Sequence, residues 1–137
     1  MKYMILMYSS QRDYDLLSGK ATDGPSFAPE DFAPMHEFMG SFTAELIESG
    51  EFVDAQSLAA PVHTRRIQLQ RGVPVVTDGP YAETQEVLSG YWIVECDSFD
   101  RATEITAKLA NCPSPGDVFA NSVADVRPID TPEGMEV

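Results

Sequence analysis

The sequence predicts a single α+β domain, because two helix patterns alternate with several short strand patterns along its 137 residues. A chain of this length can bury one core that covers roughly two-thirds of its unfolded surface. Hydrophobic residues make up 43% of the chain, which is typical of a folded protein. We expect the domain to occupy residues 1–130 and a flexible acidic tail to occupy residues 131–137.

The first predicted element is a buried strand, and a long polar connection follows it. Between Lys2 and Tyr8 the chain is apolar on both faces apart from its tyrosines, as in a central strand covered by helices. Residues 9–28 are polar and too many for an ordinary connection. They form either a disordered loop or an ordered lid over a binding site.

The first helix has the strongest pattern. It is expected to begin with Asp31 as its N-cap and Pro34 in the first turn, where a missing N–H costs least. Gly50 is predicted to end it in the left-handed conformation. Apolar residues recur in between at spacings of three and four and form one stripe facing the sheet: Phe32, Met35, Met39, Phe42 and Leu46.

The remaining elements complete an antiparallel sheet. Strands are predicted over residues 52–58, 64–70, 73–77, 90–96 and 122–129, and an Arg71-Gly72 turn joins the second to the third. A second helix, capped by Asp97 or Ser98, precedes the last strand and stops at Pro113. This order predicts a ferredoxin-like split βαβ fold with both helices on one face of the sheet. The other face then needs a cover, most simply a second copy in a homodimer.

The charge of the chain limits its partners. The formal net charge is −13, from 22 acidic and 9 basic residues, so we expect neither nucleic-acid nor membrane binding. No apolar run approaches the roughly 18 residues of a membrane span or resembles a secretory signal, and a cytoplasmic location is expected. Phosphate-binding loops, metal-ligand spacings and nucleophile motifs are missing, so no cofactor and no metal is expected.

One segment carries the most distinctive chemistry. Asp78, Glu83 and Glu86 place three carboxylates around a Gly79-Pro80 corner at the end of a strand. Asp78 can serve the turn by accepting hydrogen bonds from the following amides. Alternatively, its carboxylate faces a cleft and transfers protons.

This segment resembles the YCII-related, or DGPF, family. The residues that carry the resemblance are Thr77-Asp78-Gly79-Pro80, Ala82-Glu83-Thr84, Glu86, Gly90-Tyr91, Gly50-Glu51 and Val126-Arg127-Pro128. The resemblance covers nearly the whole chain and implies a dimeric α+β barrel with a pocket in each protomer. It also implies one of two functions: elimination or isomerisation of small ring-derived acids, or an accessory role beside extracytoplasmic-function sigma factors.

Two residues depart from the family pattern. Tyr81 replaces a phenylalanine, and its hydroxyl can donate to a ligand or reach solvent. Gln85 replaces a lysine, so Glu83 and Glu86 need another cation. Arg65 or Arg66 is the expected partner, in either a structural ion pair or a ligand site.

His36 and Arg66 complete the candidate site. His36 lies in the first turns of the helix, where the dipole favours a neutral imidazole that could act as a base. Enzymatic relatives are thought to pair a histidine of this helix with an aspartate, but Met39 fills the expected position, so His36 can equally face solvent. Arg66 matches a family position and could clamp a carboxylate.

Two functions are therefore predicted. In the first, a small-molecule pocket carries out cofactor-free proton transfer on a small organic acid, with Asp78 and His36 catalytic and the substrate bound by Arg66, Tyr81, Glu83 and Glu86. The alternative is a non-catalytic accessory or ligand-sensing module.

Overall fold

A computed structural model describes residues 1–131 and shows a four-stranded antiparallel sheet beside a separate two-stranded hairpin. Most of the predicted tail lies outside the described residues. No helix within them is long and apolar enough to cross a membrane. In chain order the elements are β1 (Lys2–Ser9), α1 (Gln11–Ser18), α2 (Ala33–Ser49), β2 (Phe52–Ser57), β3 (Arg65–Gln70), β4 (Val73–Asp78), β5 (Val87–Glu95), α3 (Phe99–Ala110) and β6 (Ala124–Pro128).

The strand order confirms the predicted α+β ferredoxin-like fold. The large sheet has the order β2-β5-β1-β6, and β5 and β1 occupy its centre. Since β1 and β2 both run antiparallel to β5, they are parallel to each other and are joined by a crossover through α2. The same relation holds for β5, α3 and β6, which is the split βαβ arrangement.

The core lies between this sheet and the two long helices. In the register of β1 and β5, Ile5 is opposite Trp92 and Tyr3 is opposite Val94, and all four are buried. Phe42 of α2 meets Trp92 edge-on, with ring centroids 5.0 Å apart. The other buried apolar side chains of the helices are Leu46, Ala102, Ile105 and Leu109.

The opposite face of the sheet carries Met4, Leu6 and Ile93, which are half-buried. These residues alternate with the core positions along their strands, so their side chains point away from α2 and α3. The expectation that a second copy covers this face stays a prediction.

The C-terminal end of α2 lies where the sequence predicts it, and the N-terminal end does not. Gly50 ends the helix with φ 78°, as predicted, and Pro34 lies in the first turn. The prediction that Asp31 is the N-cap is wrong, because α2 begins at Ala33 after a 3₁₀ turn over Pro29–Phe32. The Asp31 carboxylate instead accepts the Ala28 N–H at 2.7 Å and closes that turn.

The polar stretch after β1 contains a helix that was not predicted. Ser10 and Asp13 form a capping box at the start of α1, and Gly19 ends the helix with φ 76°. The helix is only eight residues long and has no buried residue. Its caps were the available signal, and the disordered alternative is wrong over α1.

An ion pair ties α3 to the start of β2. The Arg101 guanidinium donates to both carboxylate oxygens of Glu51 at 2.8 Å. The Glu51 side chain is 13% exposed, and Arg101 lowers its pKa below the ordinary value. Because Arg101 is 44% exposed, water screens the pair, and we expect it to contribute about 1 kcal/mol.

Replacing Glu51 with glutamine tests this contact. A lowered folded-state pKa means that the stabilisation is complete above the ordinary value of 4.5 and is lost as the pH falls through the folded value. We expect E51Q to unfold more easily than the wild type at pH 7 and the difference to shrink below about pH 4.5. Urea unfolding at a series of pH values measures it. E48Q, at an exposed position of α2, is the control; an E51Q effect that grows toward low pH would contradict the assignment.

Candidate functional site

The structure contains a cavity of about 520 Å³ on the helix side of the sheet, at the end where β1 finishes and β5 begins. Strand residues Met7, Ala55 and Trp92 form its floor, and all three pack against the core. The residues that line it from the helices include Tyr14, Leu17, Met35, Met39 and Leu109. A volume of this size is typical of small-molecule sites.

The cavity exists because small residues replace large ones at one end of the sheet. Trp92 and Ile5 fill the helix-facing positions in the middle of β5 and β1. Near the cavity, Gly90 on β5 and Ser9 on β1 occupy helix-facing positions. Ser57 on β2 lies opposite Gly90. The helices do not fill the space above these small residues, because the large core side chains next to it keep the helices away from the sheet.

The walls are apolar apart from a few hydroxyl groups, the Gln56 amide and the Cys112 thiol, and no charged side chain of residues 1–131 lines them. The Ser9 hydroxyl donates to the Ser89 hydroxyl at 3.1 Å. Burial raises the pKa of the Tyr14 phenol and of the Cys112 thiol, so both groups are neutral at pH 7. The lining is therefore uncharged at neutral pH.

Helix α1 covers one side of the cavity and is tied down on both flanks. The Tyr14 hydroxyl donates to the Leu58 carbonyl at 2.9 Å, and the Gln11 side chain accepts the Val62 N–H at 2.8 Å. On the other flank the Arg12 N–H donates to the Glu83 carbonyl at 3.0 Å. These contacts agree with the lid alternative for the polar stretch.

The Asp78 corner lies outside the cavity. The Asp78 side chain is 73% exposed and accepts a hydrogen bond from Arg65 at 2.8 Å across the β3–β4 pair. Gly79 adopts φ 54° and donates its N–H to the Thr64 carbonyl at 2.8 Å, a conformation that favours glycine. In the described chain the corner therefore closes the base of the hairpin.

Two of the predicted ligand-binding residues meet at this corner. The Arg66 guanidinium lies over the Tyr81 ring, 5.3 Å from its centroid. Glu83 and Glu86 are exposed, and neither pairs with a basic side chain of residues 1–131. The expected pairing with Arg65 or Arg66 is not observed, since those arginines engage Asp78 and Tyr81.

His36 lies apart from both places. It is exposed on α2, where its ring stacks on Phe32 with centroids 6.2 Å apart. Its neighbours Met35 and Met39 line the cavity instead. The structure thus brings Arg66 to Tyr81, but it brings neither His36 nor Asp78 to the cavity, and their catalytic roles stay predictions. No group of three potential metal ligands is found within residues 1–131.

Sequence reasoning missed the residues that form the cavity. Ser9, Ser57 and Gly90 occupy helix-facing positions of adjacent strands, where large apolar residues would otherwise pack. That break in side-chain size was the available signal, but it becomes visible only when the pairing register is known.

Comparisons with known proteins agree with the motif. A protein-family model described as "YCII-related domain" matches residues 1–127. An uncharacterized protein of Rhizobium meliloti (strain 1021) is 30% identical over 87 residues, which cover 63% of this chain and 70% of that relative.

Removing the Tyr14 hydroxyl tests how α1 is held. Y14F deletes the donor to the Leu58 carbonyl, a hydrogen bond worth about 1 kcal/mol. We expect the amides of α1 to exchange about fivefold faster while those of β5 keep their wild-type rates. Hydrogen exchange followed by mass spectrometry measures both. Y8F is the matched control, because the Tyr8 hydroxyl donates to Asp125; equal effects of the two variants would contradict the assigned role.

Proposed function

The chain belongs to the YCII-related domain family, and we propose that it binds a small, neutral and mainly apolar molecule in the cavity beneath α1. The observation that carries this proposal is the lining: about 520 Å³ of space bordered mainly by apolar side chains, with hydroxyl groups and the Gln56 amide but no charged side chain among the described residues. Pockets of this size and character bury most of the surface of a small ligand.

The uncharged lining selects against an organic acid. Moving a carboxylate from water into an apolar site costs several kcal/mol unless a cation or several donors replace its hydration. Arg66, the residue predicted to clamp a carboxylate, lies over Tyr81 and outside the cavity. We therefore propose a neutral ligand for this site rather than the organic acid expected from the sequence.

The same lining favours binding over proton transfer. A general base must lie within hydrogen-bond reach of the proton it removes. The predicted bases Asp78 and His36 do not line the cavity, and the Tyr14 and Cys112 side chains that do are held neutral by burial. This supports the ligand-sensing alternative, for which the link to sigma-factor regulation and the cytoplasmic location remain predictions.

Trp92 provides a direct test, because it is the single tryptophan of the chain and lines the cavity. We expect 1-naphthol to quench its fluorescence with saturation and 1-naphthoate to bind at least about tenfold more weakly, since the carboxylate must shed its hydration. The titration is corrected for absorption by the probe. Equal affinity for the two probes would contradict a neutral site.

A matched pair of variants locates the binding. A55F places a ring in the cavity from β2 and should abolish 1-naphthol binding. V53F, on the same strand at a position that is 39% exposed and outside the cavity, should leave the affinity unchanged. Circular dichroism confirms that both variants are folded. Undiminished binding to a folded A55F would overturn the proposal.

A further inference from the structure

The β3–β4 hairpin presents an apolar surface that its own chain leaves uncovered. All twelve residues of its two strands are exposed, and no helix or strand of residues 1–131 packs extensively against it. A two-stranded hairpin alone in water is only marginally stable. We therefore expect the hairpin to pack against another molecule.

The register concentrates apolar side chains on one face of this hairpin. Ile67 is opposite Val76, and Leu69 is opposite Pro74. Ile67, Leu69 and Val76 are 59%, 68% and 54% exposed. The other face mixes Arg66, Thr77 and glutamines with valines, so only the Ile67–Leu69 face is continuous and apolar.

The hairpin is also basic in an acidic protein. It carries Arg65, Arg66 and Arg71 against the single carboxylate of Asp78, a net charge of +2. The rest of the chain therefore carries −15. Such a separation of charge within one chain favours contact between the hairpin of one copy and the acidic body of another.

One surface of the body matches the hairpin in both respects. At the end of the open sheet face where β1 finishes, Leu6 and Leu88 provide apolar area. Asp125 lies opposite Leu6 and accepts a hydrogen bond from Tyr8. Asp54 lies one row away, opposite Ile93, and accepts a hydrogen bond from Tyr91.

The cations of this face lie toward the beginning of β1. Lys2 is opposite Glu95, and Arg127 is opposite Met4, in the cross-strand row that also contains Asp54. In the next row Asp125 lies opposite Leu6, so the end of the face where β1 finishes is the end complementary to an arginine-bearing hairpin.

We propose that the β3–β4 hairpin is an arm exchanged between two copies of this chain. The Ile67–Leu69 face of each arm packs on the end of the partner's open sheet face where β1 finishes, and Arg65, which lies on the same face of the arm, approaches the acidic side chain there. The contact is reciprocal, so it closes as a symmetric dimer. It buries the apolar surface of the arm and the uncovered side of the sheet together.

Two variants with matched exposure test the arm. I67E places a charge on the arm at a position that is 59% exposed, and I47E does the same on the outer surface of α2 at 60%. We expect sedimentation equilibrium to show a wild-type dimer, an I47E dimer, and an I67E dimer whose Kd is at least about tenfold higher. A monomeric wild type, or an I67E dimer of unchanged affinity, would overturn the proposal.

Cross-linking tests where the arm lies. L69C and L88C, each combined with C112S, are mixed in equal amounts under mild oxidation. The mixture should give a disulfide-linked dimer on a non-reducing gel, and each variant alone should give far less. An equal yield from L69C alone would place two arms against each other and refute the proposed receiving surface.

Discussion

The antiparallel pairing of β1 with β5 determines where both the core and the cavity of this domain lie. Its register sets Ile5 against Trp92 and gives α2 and α3 a continuous apolar surface to pack on. The same register brings Ser9 and Gly90 to the helix side at one end of the sheet, where the helices do not pack closely against them. Large side chains thus form the core at one end of the sheet, and small residues leave the cavity at the other end. The close packing of the core keeps the helices from collapsing into the cavity.

The placement of charge follows from this arrangement. No acidic residue among residues 1–131 is buried, because hydration stabilises the carboxylates at the surface, and none of them lines the cavity. Three of the nine basic residues lie in the hairpin. The uncharged cavity and the basic hairpin are separate features of the described chain, and we propose separate partners for them: a neutral small molecule and a second copy.

The Asp78-Gly79-Pro80 corner shows how a distinctive motif can be structural within one chain. Gly79 takes a left-handed conformation and its amide bonds the Thr64 carbonyl, while Asp78 holds Arg65 across the strand pair. Asp78 and Gly79 therefore stabilise the base of the hairpin. If the hairpin is an arm, the corner sets the direction in which the arm leaves the domain, and the motif contributes to assembly without touching the cavity.

The class of fold, most strand positions, the left-handed end of α2 at Gly50 and the family could all be predicted from the amino-acid pattern, because periodicity, turn residues and local motifs involve neighbouring positions. This pattern did not reveal α1, whose contacts run to distant carbonyls and whose residues bury little. The cavity was decided only by the tertiary structure. Ser9, Ser57 and Gly90 are far apart along the chain, and only strand pairing and the packing of the helices bring these small residues together around one space.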